Sequence, residues 1–539
     1  MPRYSYEPFA YTTPPEIAGG PSGQYPVAIV GAGPVGLAAA IDLAQRGVRV
    51  VVLDDNDVVS VGSRAICWSK RTLEIFDRLG VGERMVEKGV TWKVGRLFHR
   101  EREVWSFDLL PEDGHKMPAF INLQQYYVEQ YLVERAAALP EFIDLRWKNR
   151  VVSVEQSAGD VRLGIETPDG PYHLDAAYVL ACDGARSPLR AMLGLDFEGQ
   201  VFEERFLIAD VEMKADFPSE RWFWFEPPFH KGQSALLHKQ PDEIYRIDLQ
   251  LGPDADPEEE KKPENVIPRI ARVIGHDRFE LDWVSVYTFQ CRRLARFVHG
   301  RIIFAGDSAH IVSPFGARGG NGGIQDIDNL CWKLALVIHG EAPPSLIATY
   351  DEERIHGADE NILNSARSTG FMTPKSEMVR IFRDSVLELA ADHAFARRLV
   401  NSGRLSKPCS LAGFSLQTQP SQAEGLEPGT VMPDAPVLDG SEHGWLLNRI
   451  GNGFALLAVD CAPPPGLPAG LHVVQTVRDG QGAAADGVTR LVDAQGRVAE
   501  RYGAGLLYLV RPDQHIAARF RHADGQEIAV AMMRAMGRE

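Results

Sequence analysis

The sequence predicts an α/β protein: a parallel β-α-β unit interleaved with a mostly antiparallel β-sheet, then a separate small α/β segment. Three observations predict this. A glycine-punctuated β-α-β pattern lies near the N-terminus, and short alternating strands run from about 206 to 286. A Ser-, Gln-, Gly- and Pro-rich stretch at 408–436 then sets off the remainder of the chain.

With 539 residues the chain exceeds one core, so two or three domains are expected. Its 45% hydrophobic and 24% charged content is ordinary for a globular protein. The formal charge of −16 argues against nucleic acid or an anionic membrane as partner. The first 24 residues are polar and proline-dotted and read as a loosely docked or disordered tail. No run approaches the roughly 18 apolar residues of a membrane span, so a cytoplasmic protein is expected. Cys67, Cys182, Cys291, Cys331, Cys409 and Cys461 show no C-x-x-C pair, which gives neither a metal site nor a disulfide framework.

The β-α-β unit starts with an apolar strand at 27–30 and the string GAGPVG at 31–36. A helix with apolar Leu37, Ala40, Ile41 and Ala44 follows and ends at Gly47, and a β-branched strand at 48–53 stops at Asp54 and Asp55. Gly31 permits a tight turn, Gly33 lets backbone approach a pyrophosphate, and Gly36 lets helix and strand pack closely. The helix N-terminus offers free N–H groups to phosphates, and Asp54 is placed to accept hydrogen bonds from ribose hydroxyls. A dinucleotide ligand is expected, but this motif alone does not separate FAD from NAD.

Two later segments break the tie. The first is YVLACDGARSPLR at 178–190. The second is RIIFAGDSAHIVSP at 301–314, which continues as FGARGGNGG at 315–323. A buried strand ending in Gly306 and Asp307 projects a carboxylate toward a ligand along the sheet edge, as a ribityl chain requires. The glycine loop at 316–323 lets bare amides face a flat ring. The helix from about 323 to 339 then points its N-terminus at the ligand and stabilises negative charge there. A helix cap is the plain alternative for Asp307, and His310 reads as a packed loop histidine.

These three segments, in this order, resemble the class A flavin-dependent aromatic hydroxylases related to para-hydroxybenzoate hydroxylase and phenol hydroxylase. The resemblance covers about residues 25–400. It implies a Rossmann-like FAD-binding domain in which Gly31, Gly33, Gly36 and Asp54 hold the ADP half of FAD. It further implies Arg64 near the flavin phosphates, Gln124 in contact with FAD, and Gly306 and Asp307 at the ribityl chain. The amides of Gly320 and Asn321 would lie at the isoalloxazine ring, with Asp183 and Arg186 in a segment serving FAD and NAD(P)H. The implied reaction uses NAD(P)H and O2 to hydroxylate a small phenolic ring through a flavin C4a-hydroperoxide, as in aromatic-compound catabolism. The alternative is a larger polyketide-like or antibiotic ring, and a flavin-binding protein without oxygenase activity is a more distant one.

On the substrate side, the β-rich segment offers Trp222, Phe223, Trp224, Phe225, His238, Tyr287 and Arg292, with Pro314 beside the glycine loop. Alternation puts Trp222 and Trp224 on one face of their strand and Phe223 and Phe225 on the other, so only one pair lines a pocket. Trp222 and Trp224 are taken as that pair. No general base is assigned. WFWFEP at 222–227 superficially matches a halogenase segment, but Glu226 stands where isoleucine is needed.

The resulting organisation is a tail (1–24), a first FAD-binding part (25–205), a β-rich substrate domain (206–295), a second FAD-binding part with helices (296–408), a linker (409–429) and a last domain (430–539). Apolar strands at 454–459 and 471–474, a helix near 492–502 and a hairpin over 506–520 make this last domain resemble a thioredoxin-like one. Cys461 lacks a second cysteine, so it is expected to be redox-inert. A chain ending near Ser410 is expected to keep its flavin. A homodimer or higher homo-oligomer is expected.

Overall fold

The computed structural model describes residues 4–19, 24–252, 254–314, 316–400, 407–419, 424–479 and 486–538. Residues 1–3 and 20–23 of the expected tail, 420–423 of the expected linker and residue 315 of the glycine-rich stretch lie outside the described residues.

Five parallel strands run in the order Ile302–Phe304, Gly170–Ala181, Gln24–Val30, Val50–Leu53 and Ile143–Arg146. Their apolar runs do not alternate, because a parallel sheet is covered on both faces. Helices Pro34–Gln45 and Gly319–Ile338 pack together against this sheet. Strands Arg150–Gln156 and Val161–Thr167 form an antiparallel meander on the outer half of Gly170–Ala181.

A second, eight-stranded sheet runs in the order His310–Ile311, Glu280–Arg293, Glu198–Glu212, Ile244–Leu251, Ser234–Lys239, Arg221–Phe225, Val94–His99 and Arg102–Asp108. Neighbours are antiparallel except Arg221–Phe225 with Val94–His99. That parallel pair brings in two strands from far upstream, which local alternation cannot reveal. A seven-stranded mixed sheet closes the chain. In it Val488–Val492, His472–Val477 and Ala455–Val459 are parallel, and Leu506–Val510 and Ile516–Phe520 continue antiparallel.

The described part of the tail is mostly exposed but docks at specific residues. Phe9 stacks on Trp147 with ring centroids 4.5 Å apart, and Glu16 makes a buried ion pair with Arg146 at 2.9 Å. In the stretch expected as a linker, Leu411 and Leu416 are buried, and the Thr418 amide donates to the Ala517 carbonyl at 2.8 Å. Trp332 and Leu346 share one apolar cluster with Leu456, Leu507 and Ile528, so the last sheet is built into the core around the helices. No helix among the described residues is long and apolar enough to cross a membrane.

Candidate functional site

A cleft of about 540 Å³ opens at the C-terminal ends of the parallel strands, lined by Gly31, Gly33, Asp54, Arg64, Asp183 and Gly184 among others. This is where a doubly wound sheet receives ligands. Gly31 has φ +105°, and a Cβ there would overlap the Cys182 carbonyl. A Cβ on Gly36 would overlap the Gly31 carbonyl. Gly33 differs, since a Cβ there meets nothing within 4 Å. Protein packing therefore does not demand that glycine, and its bare backbone faces the cleft.

Asp54 accepts from the Ala32 amide at 2.5 Å and the Asn56 amide at 2.9 Å, so it braces the glycine turn. Burial raises its pKa. Asp183 accepts from the Leu189 amide at 3.0 Å, while its Oδ1 is buried without a partner among the described residues. Burial raises its pKa as well. Arg64 is exposed on the cleft wall, and Arg186 is exposed on the segment that carries Asp183.

Strand Ile302–Phe304 feeds a tight turn over Gly306–Ser308. Buried Asp326 clamps this turn by accepting from the Gly306 amide at 3.0 Å, His310 Nε2 at 2.6 Å and Arg354 Nε at 2.7 Å. His310 is thus a packed structural histidine. The Asp307 carboxyl is exposed at this turn, and desolvation by the protein around it raises its pKa. Asp326 was missed in the sequence, where an acidic residue inside an apolar helix is its only signal.

The helix after the glycine stretch begins at Gly319, four residues earlier than expected, so Gly320 and Asn321 belong to its first turn rather than to a loop. The amides of Gly319, Gly320 and Asn321 are those a helix leaves without an internal acceptor. The Asn321 side chain fixes this end in place. It accepts from the Ser69 amide at 2.9 Å and donates to the carbonyls of Cys67 and Ala317 at 2.9 and 2.6 Å. A Cβ on Gly320 would press on the Trp68 ring at 3.2 Å.

Gln124 is buried: its Nε2 donates to the Pro241 carbonyl at 3.2 Å, in the turn between two strands of the second sheet, while its Oε1 has no partner among the described residues. Gln125 is the glutamine on the cleft side. It accepts from the Ala65 amide at 3.1 Å and donates to Ser60 and Glu129, both of which line the cleft.

The second sheet turns one face toward these elements. Arg221, His238, Arg246 and Asp210 lie opposite one another on successive strands of it. Arg246 makes a bidentate pair with Asp210 at 2.8 Å and donates to the Ser63 carbonyl, which docks this face onto the Arg64 segment. His238 Nδ1 lies 3.9 Å from Cys67 Sγ. Burial holds the imidazole well below its ordinary pKa and pushes the thiol up to about 11. Asp248 is on the same face, with its Oδ1 unpartnered among the described residues and its carboxyl pushed up to about 6 by desolvation. Tyr287 lies beside Arg64, and desolvation raises its phenol.

This face corrects the choice between the aromatic pairs. Phe223 and Phe225 line a cavity with Leu97, Arg221, Gly316, Phe371 and Met372. Trp222 and Trp224 point the other way, where both pack against Phe98. Arg292 also leaves the pocket, since its guanidinium donates to the Phe197 carbonyl at 2.7 Å. Pro314 is exposed and begins the turn that carries Gly316, with the Ala317 amide donating to its carbonyl at 3.0 Å. His99, Glu226 and Asp384 approach one another as metal ligands would, but Arg383 already donates to both carboxylates.

The residues present therefore fit a flavin dinucleotide: a glycine turn open to the cleft, unpartnered carboxyl oxygen at Asp183, an outward Asp307 and a helix N-terminus beyond it. The family described as FAD binding domain matches residues 24–365. The chain belongs to this family of FAD-dependent aromatic hydroxylases. As a member it is an FAD-dependent aromatic-ring monooxygenase with FAD as its cofactor. It is 30% identical over 515 residues to the 3-(3-hydroxyphenyl)propionate/3-hydroxycinnamic acid hydroxylase 2 of Burkholderia vietnamiensis, covering 92% of this chain and 93% of that one. It is 31% identical over 378 residues to a 12-dehydrotetracycline 5-monooxygenase/anhydrotetracycline 6-monooxygenase of Streptomyces rimosus, covering 68% and 73%. The crystal structure of the flavin-dependent monooxygenase PieE shares the fold, with a TM-score of 0.76 at 23% identity over 96% of this chain and 100% of that one.

Proposed function

We propose that the protein hydroxylates a small monocyclic phenol with NAD(P)H and O2 as co-substrates, and that the ring lies between the Asp307 side of the cleft and the Phe223/Phe225 face. The observation that carries this reading is the meeting of these two halves. The flavin-side helix N-terminus at Gly319 stands beside the cavity of the second sheet through Gly316. The similarity to the hydroxyphenylpropionate hydroxylase, over 93% of its length, supports a single ring.

When bound, FAD would supply hydride acceptance from NAD(P)H and oxygen activation for transfer to the ring. Gly31, Gly33 and Gly36 would hold the ADP half, and Gln125 would stand on the cofactor side. Asp307 would accept hydrogen bonds from the ribityl hydroxyls, and the amides of Gly320 and Asn321 would stabilise negative charge at the ring edge. Phe223, Phe225 and Phe371 exclude water, which protects the reactive oxygen from wasteful loss. Asp248, a carboxylate with a free oxygen on this face, takes the phenolic proton.

The last sheet, with three parallel strands followed by an antiparallel hairpin, supports a thioredoxin-like unit over 430–539. Cys461 is a free thiol packed against an apolar cluster, with its Sγ 3.8 Å from the Leu506 carbonyl and no second cysteine bonded to it, which supports a unit without thiol–disulfide exchange. Exposed Met378, Ile381, Phe382 and Phe395 on consecutive helices support a homo-oligomer. The reading is tested by screening phenols for stimulated NAD(P)H oxidation by the FAD-loaded protein, with the product mass showing one added oxygen atom. Oxidation that no phenol stimulates, or that yields only hydrogen peroxide across the screen, overturns it.

A further inference from the structure

We propose that Arg221 is a specificity-determining anchor for a carboxylate carried by the substrate. The inference rests on the reading above and names which phenols the site accepts.

Arg221 opens the strand Arg221–Phe225, and alternation places it on the face of Phe223 and Phe225. All three line the same cavity. Among the described residues, no hydrogen bond or ion pair reaches the Arg221 guanidinium. Its neighbours are differently placed. Arg246, on the same face, is held by Asp210 and the Ser63 carbonyl. Arg96, on the adjacent strand, is held by Glu220 and Glu103. A guanidinium carries five donors in a rigid fork. The side chain is half-buried at the cavity wall, so its donors face the cavity, where a ligand can supply the acceptor that the chain does not.

The surroundings indicate which ligand group that is. Arg318 lies against Gly316 at the edge of the cavity, where burial, with repulsion from Arg221 added, lowers its pKa. Asp248 shares the face of Arg221 but makes no ion pair with it within 4.0 Å. The cavity therefore joins phenylalanine walls to an unpaired guanidinium at one end. A flat aromatic ring fits the phenylalanine walls, and a carboxylate matches the fork by two parallel N–H···O bonds.

The test compares 3-(3-hydroxyphenyl)propionate with neutral 3-propylphenol on the FAD-loaded wild type, Arg221→Met and Arg221→Lys. Flavin absorbance reports binding and NAD(P)H oxidation reports turnover. We expect Arg221→Met to weaken the acid by roughly 10- to 100-fold in Kd and KM, the loss of charge-assisted hydrogen bonds. The neutral phenol should change by less than about threefold, FAD content should be unaltered, and Arg221→Lys should recover part of the loss. Equal losses for acid and phenol, or no loss for either, overturn the anchor even if hydroxylation proceeds. The binding titration needs no turnover, so a wild type that binds the acid through Arg221 without hydroxylating it sinks the proposed reaction and leaves the anchor standing.

Discussion

Arg511 and Glu353 lie 158 residues apart and meet in a buried bidentate ion pair, with Nη1–Oε1 at 2.6 Å and Nη2–Oε2 at 3.0 Å. Arg511 belongs to the turn of the C-terminal hairpin and Glu353 to the helix Ala348–Met372. Lys333, on the helix whose N-terminus faces the cleft, donates to the same Glu353 carboxylate at 2.8 Å. Asp513, beside Arg511, accepts from Trp332 Nε1 at 3.1 Å. The last sheet thus shares a buried charge network with the flavin-side helix.

The first consequence reverses the expectation for a chain ending near Ser410. Such a chain loses Arg511 and Asp513, leaves Glu353 with Lys333 but without Arg511, takes the acceptor from Trp332 Nε1, and uncovers Trp332 and Leu346. Breaking a buried pair from one side costs about 3–5 kcal/mol, a large part of a domain's stability. The truncated protein should be insoluble or colourless. Soluble, yellow truncated protein in size-exclusion chromatography is the result that refutes this.

Arg511→Met in the full chain removes the arginine from this network. It should lower stability by about 3–5 kcal/mol at neutral pH, because the Glu353 and Asp513 carboxylates stay buried with less compensating charge. Salt-bridge partners hold Glu353 well below the carboxylate range against the opposing effect of burial. A depressed carboxylate stabilises the fold above its unfolded pKa of about 4.3 and loses that contribution as pH falls. Acid unfolding of Arg511→Met should therefore begin at higher pH than in the wild type. Denaturant melts between pH 3 and 7 check both claims.

The cleft side of the candidate site was legible because its residues are local in sequence. The turn at 31–36, the carboxylate after strand Ile302–Phe304 and the glycine-rich helix start each lie within one short string. The second-sheet side was not, because its face is set by pairing between distant strands. Alternation showed that Trp222 and Trp224 oppose Phe223 and Phe225, but only the register with His238 and the neighbour Val94–His99 shows which pair faces inward. The built-in character of the last sheet was hidden for the same reason. Its anchors are Arg511 and Asp513 in a turn, where polar residues ordinarily signal exposure.

Asp307→Ala should weaken FAD by roughly one to two powers of ten, since hydrogen bonds to a charged group are worth about 1.5–3 kcal/mol. Asp326 secures the turn independently, so the variant should fold. Titration of apoprotein with FAD reads the effect. An unchanged Kd removes Asp307 from the ribityl site.

Asp248→Asn should slow hydroxylation and stabilise the fold in the same protein. Desolvation raises the Asp248 carboxyl to about 6, above the roughly 3.9 of an unfolded chain. The folded state therefore holds this proton more tightly than the unfolded one. Stability falls as pH rises from about 4 to 6, and the penalty stays complete above that. Because the carboxyl keeps some contact with solvent, the penalty is about 1–2 kcal/mol rather than the full value of the shift. Asparagine carries no such penalty, so the variant should melt higher than the wild type at pH 7.5, and the gain should vanish near pH 4. If Asp248 takes the phenolic proton, kcat should fall about a hundredfold, with FAD affinity unchanged and the acidic limb of the pH–rate profile lost. A stability gain with normal turnover would leave Asp248 a merely strained residue. Loss of both stability and turnover would show that its carboxylate is satisfied in the fold and would refute the assignment.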